Sequence, residues 1–198
     1  MSDVTLSAGT LNQNTGSTFA PVNLTITNGT LQGAGDVSVS GAFNWSAGAI
    51  QGSGNLNTSG TTTLDIPGSA YLYGTRVWNN TGTVNQSGAG YLYMGSGTPV
   101  INNQAGATWN EGSTNASYVM YAGTFNNAGS FNKAGANTAE INATVFNNAA
   151  TNTNAVNVTG GVLQLFGSGT DSGNYVIASG ATLELNGGTR NLNAGSNV

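Results

Sequence analysis

Leu31-Gln32-Gly33-Ala34-Gly35-Asp36-Val37-Ser38-Val39-Ser40-Gly41 returns at residues 50–60 as Ile50-Gln51-Gly52-Ser53-Gly54-Asn55-Leu56-Asn57-Thr58-Ser59-Gly60, 19 positions later and without a gap. Repetition at a fixed period of this size is the mark of stacked structural units, each too small to bury its own apolar face. The pattern continues along the chain. An apolar residue followed by two asparagines recurs as Trp78-Asn79-Asn80, Ile101-Asn102-Asn103, Phe125-Asn126-Asn127 and Phe146-Asn147-Asn148, at offsets of 23, 24 and 21. A third thread overlays Tyr71-Leu72-Tyr73 on Tyr91-Leu92-Tyr93 at offset 20, and on Tyr118-Val119-Met120 two units along, at offset 47.

Inside each unit the texture is β. Stretches such as Asp36-Val37-Ser38-Val39-Ser40 and Ala181-Thr182-Leu183-Glu184-Leu185 alternate with the two-residue period of a half-buried strand, and Gly, Asn and Ser clusters punctuate them. Dense Gly and β-branched residues disfavour helix. A β-sandwich also has short, evenly spaced strands, but its strands have no need to resemble one another. The sequence therefore predicts an all-β chain forming a single-stranded parallel β-helix, or β-solenoid. Its rungs are about 19–24 residues long and it runs over 1–198 as one domain.

Stacking accounts for the composition. Counterpart residues in successive rungs lie about 4.8 Å apart, so like side chains form ladders. Trp78, Ile101, Phe125 and Phe146 are expected to stack inward, and Asn79, Asn102, Asn126 and Asn147 to hydrogen-bond in a ladder. Asn also tolerates the left-handed backbone that sharp corners require, which predicts Asn at the corners. Like charges stacked about 5 Å apart repel by roughly 1–3 kcal/mol, which explains why only 5% of residues are charged.

Several function classes fall away on composition. The three basic residues, Arg76, Lys133 and Arg190, cannot grip a nucleic-acid backbone or form a polybasic membrane patch. No apolar run reaches the roughly 18 residues needed to span a bilayer, and Met1-Ser2-Asp3 lacks the character of a signal peptide. With no His and no Cys, histidine- or cysteine-based nucleophile systems and the usual zinc sets have no residues to use. The seven acids, Asp3, Asp36, Asp65, Glu111, Glu140, Asp171 and Glu184, are read as isolated, solvated, outward charges, with Asp65 and Glu111 closest to register at offset 46. Glycoside cleavage needs two carboxyls roughly 5–9.5 Å apart, and two rungs place this pair about 10 Å apart. Neither catalysis nor a cofactor is expected.

Gly33-Ala34-Gly35-Asp36 carries part of a glycine-rich calcium-binding repeat, but the counterpart carboxylate is missing one rung on, where Gly54-Asn55 stands. An ordinary tight turn is the reading, and no metal site is expected. Thr25 with Thr27, and Thr61 with Thr63, form Thr-x-Thr pairs that the intervening rungs do not continue.

The outward feature that suggests binding is aromatic. If Leu72, Leu92 and Val119 point inward, alternation places Tyr71, Tyr73, Tyr91, Tyr93 and Tyr118 on the outer surface, where ring faces with hydroxyl tips suit sugar rings or a protein partner. The competing reading turns the tyrosines into the core and the leucines out.

The run Ser172-Gly173-Asn174-Tyr175-Val176-Ile177-Ala178-Ser179-Gly180-Ala181-Thr182-Leu183-Glu184-Leu185-Asn186-Gly187-Gly188-Thr189-Arg190-Asn191-Leu192-Asn193-Ala194-Gly195-Ser196 resembles repeats of large bacterial secreted proteins of the filamentous-haemagglutinin and autotransporter-passenger kind. The Gly-Thr-Leu-x-Gly-x-Gly pattern at 29–35 is similar to theirs as well. The resemblance implies export to a bacterial cell surface, a right-handed solenoid, and a stalk or adhesive role. It also implies a segment of a longer array, and surface glycans or proteins of a host or neighbouring cell as partners. Two classes stay open: a surface stalk or adhesin, and a self-assembling filament subunit that stacks through the open strand edges of its ends. A polysaccharide-processing β-helix enzyme is the remote third.

Overall fold

A computed structural model describes residues 3–115, 118–149 and 155–198. Among these there is no helix. Twenty-six short strands lie in three parallel sheets of nine, nine and eight strands, and consecutive strands visit the three sheets in turn. This is the predicted β-solenoid. The first face begins with Asp3–Leu6 and ends with Asn174–Ile177, the second runs from Thr10–Asn12 to Thr182–Leu185, and the third from Val37–Val39 to Arg190–Leu192. On the third side the first rung contributes only Phe19, which bridges to Val37.

Register agrees with the repeats that carry the prediction. Leu31 pairs with Ile50, and Val37, Ser38 and Val39 pair with Leu56, Asn57 and Thr58. Register partners in adjacent rungs are separated by 19 residues near the start and by as many as 28 between Tyr93 and Tyr121, so rungs lengthen beyond the expected range. The extra residues sit in the corners, where they leave the ladder intact.

The predicted core stack is present: Trp78, Ile101, Phe125 and Phe146 are register partners on the third face and are fully buried. Val37 and Leu56 extend the column below Trp78. Opposite it, the first face contributes Leu24, Phe43, Val84, Trp109, Phe131 and Val156, whose rings interlock with the stack. Phe125 and Phe146 lie parallel at 5.4 Å, and Trp109 meets Phe125 edge-on at 5.0 Å. Each such buried side chain stabilises by about 1.5–3 kcal/mol, so the rings supply the main cohesion between rungs.

Asparagine works in ladders, as expected on the outer side of the third face. Asn102 donates to Asn79 at 2.9 Å, Asn126 to Asn102 at 2.9 Å and Asn147 to Asn126 at 2.8 Å, and Asn79 continues the ladder down to Asn57 at 3.0 Å. Two further ladders were not anticipated. Asn85, Asn110, Asn132 and Asn157 form one on the first face. The other is buried: Thr58, Asn80, Asn103, Asn127 and Asn148 point inward, linked side chain to side chain. Each amide there both donates and accepts, so a polar column crosses the core without the cost of unpaired groups.

Two sequence expectations are corrected. Asparagine does not supply left-handed corners, because the only non-glycine residues with positive φ among those described are Ser96 and Ala122. Glycine does that work. Gly33, Gly52, Gly74 and Gly97 stack at the corner between the second and third faces with φ of 111°, 103°, 75° and 136°. A Cβ on Gly52 would lie 2.1 Å from the Gly33 carbonyl oxygen, whereas one on Gly16, also at positive φ, would meet nothing. Gly52→Ala is therefore expected to cost about 2–3 kcal/mol, and Gly16→Ala only about 1 kcal/mol, in denaturant unfolding followed by circular dichroism. Equal losses would show that close backbone approach is not what selects glycine in this column.

The second correction concerns charge. Glu111 and Asp171 are buried, as are Arg76 and Lys133, while Asp36 and Asp65 are exposed. Burial is possible because each finds partners that a parallel stack exposes at its corners. Arg76 donates to the carbonyls of Gln51, Gly33 and Gly35 in the rungs beneath, at 2.6, 2.9 and 3.2 Å. The guanidinium thus ties three rungs together at the glycine corner. Asp65 and Glu111 are not a catalytic pair, since Asp65 stacks outward beside Ser87 while Glu111 follows Gln86 in an inward column.

Candidate functional site

Alternation settles which way the tyrosines face. On the second face Ala70 and Leu72 are buried and Ser69 and Tyr71 are half-exposed, Leu92 is buried between half-exposed Tyr91 and Tyr93, and Val119 is buried beside half-exposed Tyr118. The tyrosines are outward, as expected from the leucine-inward reading.

Their overlay differs from the sequence alignment. Tyr71 pairs with Tyr93, and Tyr93 with Tyr121, while Tyr91 stands beside Ser69. The sequence aligned Tyr71 with Tyr91, two residues away. A shift of two preserves the face, so direction survives a wrong register. Tyr121 escaped the sequence reading because the register shifts between Tyr118 and Met120, turning both Val119 and Met120 inward. Two adjacent apolar residues after a tyrosine were the available signal.

The result is one continuous aromatic surface of six rings across three rungs. Tyr71 packs on Tyr73 at 5.3 Å, both meet Tyr93 edge-on at 6.1 and 5.7 Å, and Tyr93 stacks on Tyr121 at 5.5 Å. Tyr118 joins Tyr91 at 4.8 Å and Tyr121 at 4.9 Å. Burial against neighbours, then the adjacent tyrosines, pushes the Tyr73 hydroxyl above the usual phenol range. Tyr118 moves the same way through desolvation, through Tyr91 and Tyr121, and through Glu140. The Tyr73 and Tyr118 hydroxyls therefore stay protonated and able to donate.

Polar clefts flank the rings along the corner into the third face. One, of about 480 Å³, is lined by Asn12, Gln32, Gln51, Tyr73 and Ser96, and another, of about 320 Å³, by Tyr121, Asn142, Thr144 and Ser168. Glu140, beside Tyr118 in register, has its carboxylate held by the Asn142 amide at 3.0 Å. Stacking faces bordered by amides and hydroxyls, with little charge, form a surface for neutral, hydroxyl-rich ligands.

Elsewhere, the chain bends at Gly33–Gly35 and the Asp36 carboxylate accepts from the Asn55 backbone N–H of the next rung at 2.7 Å. Among the described residues no group of three or more His, Cys, Asp or Glu side chains is placed to hold a metal ion. No family model matches the chain, and no curated protein or solved structure matches it either.

Proposed function

We propose that this chain is a non-catalytic, extracellular display solenoid whose second face binds neutral glycan chains through its tyrosine surface. The single observation that carries the reading is the unbroken contact of Tyr71, Tyr73, Tyr91, Tyr93, Tyr118 and Tyr121 on a sheet held rigid by the core beneath it. Preorganised rings bind without first losing side-chain freedom, which favours recognition of a weakly interacting sugar. The resemblance to secreted bacterial surface proteins supports an adhesive or stalk role at a cell surface.

Glycan-array screening of the chain is expected to yield neutral oligosaccharide ligands, with Tyr91→Ala/Tyr93→Ala weakening binding by about tenfold or more, since each ring contact is worth about 0.5–1.5 kcal/mol. Both substitutions lie outside the core, so the melting profile should hold. An unchanged array profile in the double variant would remove the proposal.

A second reading draws on the last rung. Leu185 and Leu192 continue inward columns, above Leu165 and Asp171, yet are 51% and 56% exposed. A further rung would cover them and extend all three sheets, and in the self-assembly reading a second copy of the chain supplies it. Concentration-dependent filaments in light scattering support such stacking, and a constant monomer mass rules it out.

A further inference from the structure

Four residues the display reading does not use converge at the corner between the first and second faces. Glu111 and Lys133 are register partners in successive rungs, both buried. Ser113 N–H donates to Glu111 Oε1 at 2.6 Å, and Asn137 Nδ2 donates to Ser113 O at 2.6 Å, so Ser113 links the carboxyl to the carboxamide. Lys133 Nζ lies 3.4 Å from Asn137 Oδ1 and also donates to the carbonyls of Ala134, Gly135 and Gly160. Among the described residues, Glu111 Oε2 and Ser113 Oγ are buried without a hydrogen-bond partner. A buried amine thus touches a half-buried carboxamide, with a buried carboxyl linked to that carboxamide through Ser113.

We propose that Lys133 and Asn137 join in an intramolecular amide bond, with Glu111 as the proton carrier. Nζ, as the free amine, attacks Cγ of Asn137 and the N–C bond forms. The proton shed by Nζ passes through the Glu111 carboxyl to Nδ2. The Cγ–Nδ2 bond then breaks and ammonia leaves. No oxidation state changes and no co-reactant is consumed.

Protonation favours the same chemistry. Burial pushes the Glu111 carboxyl up to about 7, so the acid form is well populated near neutrality. Burial also lowers the Lys133 ammonium, which brings the reactive amine closer to hand. Oε2 carries no hydrogen bond, so the acid's proton is not committed to another partner, as a proton relay requires. The bond would close residues 133–137 into a ring, bracing the corner between Ser130–Lys133 and Thr138–Asn142.

Intact-mass spectrometry of the purified chain tests this directly. Expected is a mass lower than the sequence mass by one ammonia, with a cross-linked peptide joining Lys133 to Asn137 in the digest. Lys133→Ala, Asn137→Ala and Glu111→Gln should each restore the full mass, and circular dichroism shows which variants keep the β signature. Full mass in the unsubstituted chain after prolonged incubation at neutral pH overturns the proposal, whatever the variants do. Loss of ammonia that persists in Lys133→Ala also overturns it, by assigning the loss to another asparagine.

Discussion

Asp171→Ala is expected to release the last rungs of the solenoid, with amide exchange in 169–171 and 190–192 faster by roughly a hundredfold or more, while 37–80 keep their protection. Asp171 is fully buried and Arg190 nearly so, and Arg190 Nε donates to Asp171 Oδ2 at 2.8 Å. The same carboxylate accepts from the Tyr175 hydroxyl at 2.9 Å and from the Asn148 backbone N–H at 3.2 Å. Arg190 also donates to the Phe146 carbonyl at 2.9 Å, with its guanidinium 5.8 Å from the centre of the Phe146 ring. Removing the acid strands a cation in the core, a change that typically costs about 3–5 kcal/mol. In a solenoid each rung touches only its neighbours, so that cost appears as local opening rather than as a uniform loss. Asp171→Leu combined with Arg190→Met should recover most of the protection, because no buried charge is then left alone. Hydrogen-exchange mass spectrometry resolves these segments. Unchanged exchange in Asp171→Ala would mean that the ion pair does not hold the rungs.

The architecture was legible because stacking makes the sequence copy itself. Wherever two rungs share a length, as at 31–41 and 50–60, identity reveals register directly, and the Trp78, Ile101, Phe125 and Phe146 column follows from the Asn-Asn pairs beside it. Corners hid the rest. Rung length is set by loops that change by several residues, so the Tyr-Leu-Tyr motif aligned two places away from its true partners although its face was read correctly. The buried charges were illegible for a different reason. Alternation does mark Glu111, Lys133 and Asp171 as inward, but low charge in a stacked fold argues for keeping the remaining charges in water. Only coordinates show the corner carbonyls and the neighbouring ion that accept them. The inner asparagine column was masked in the same way, because Asn80, Asn103, Asn127 and Asn148 read as turn residues at the strand ends.

Apart from a pH-independent loss of the Lys133–Asn137 brace, Glu111→Gln should make the protein more stable at pH 8 by up to about 3 kcal/mol and leave it nearly unchanged at pH 4.5. The folded carboxyl titrates near 7 against 4.5 for the unperturbed group, chiefly because burial penalises its charged form. A raised carboxyl has the opposite sign to the usual salt-bridged acid. Below the unfolded value both states hold the proton and stability is full. Between there and about pH 7 the folded state keeps a proton that the unfolded state has lost, so stability falls as pH rises, and above that range it levels off. Glutamine stays neutral throughout and resembles the protonated acid in shape, so the variant should show no such slope. Lys133, in the next rung, opposes the shift by favouring the carboxylate. Were Nζ bound in an amide, that opposition would vanish and the slope of the unsubstituted protein would steepen. Urea unfolding of both proteins at pH 4.5, 6 and 8 measures the difference. Parallel pH profiles would show that Glu111 is solvated in solution and that the inward column is open at this rung.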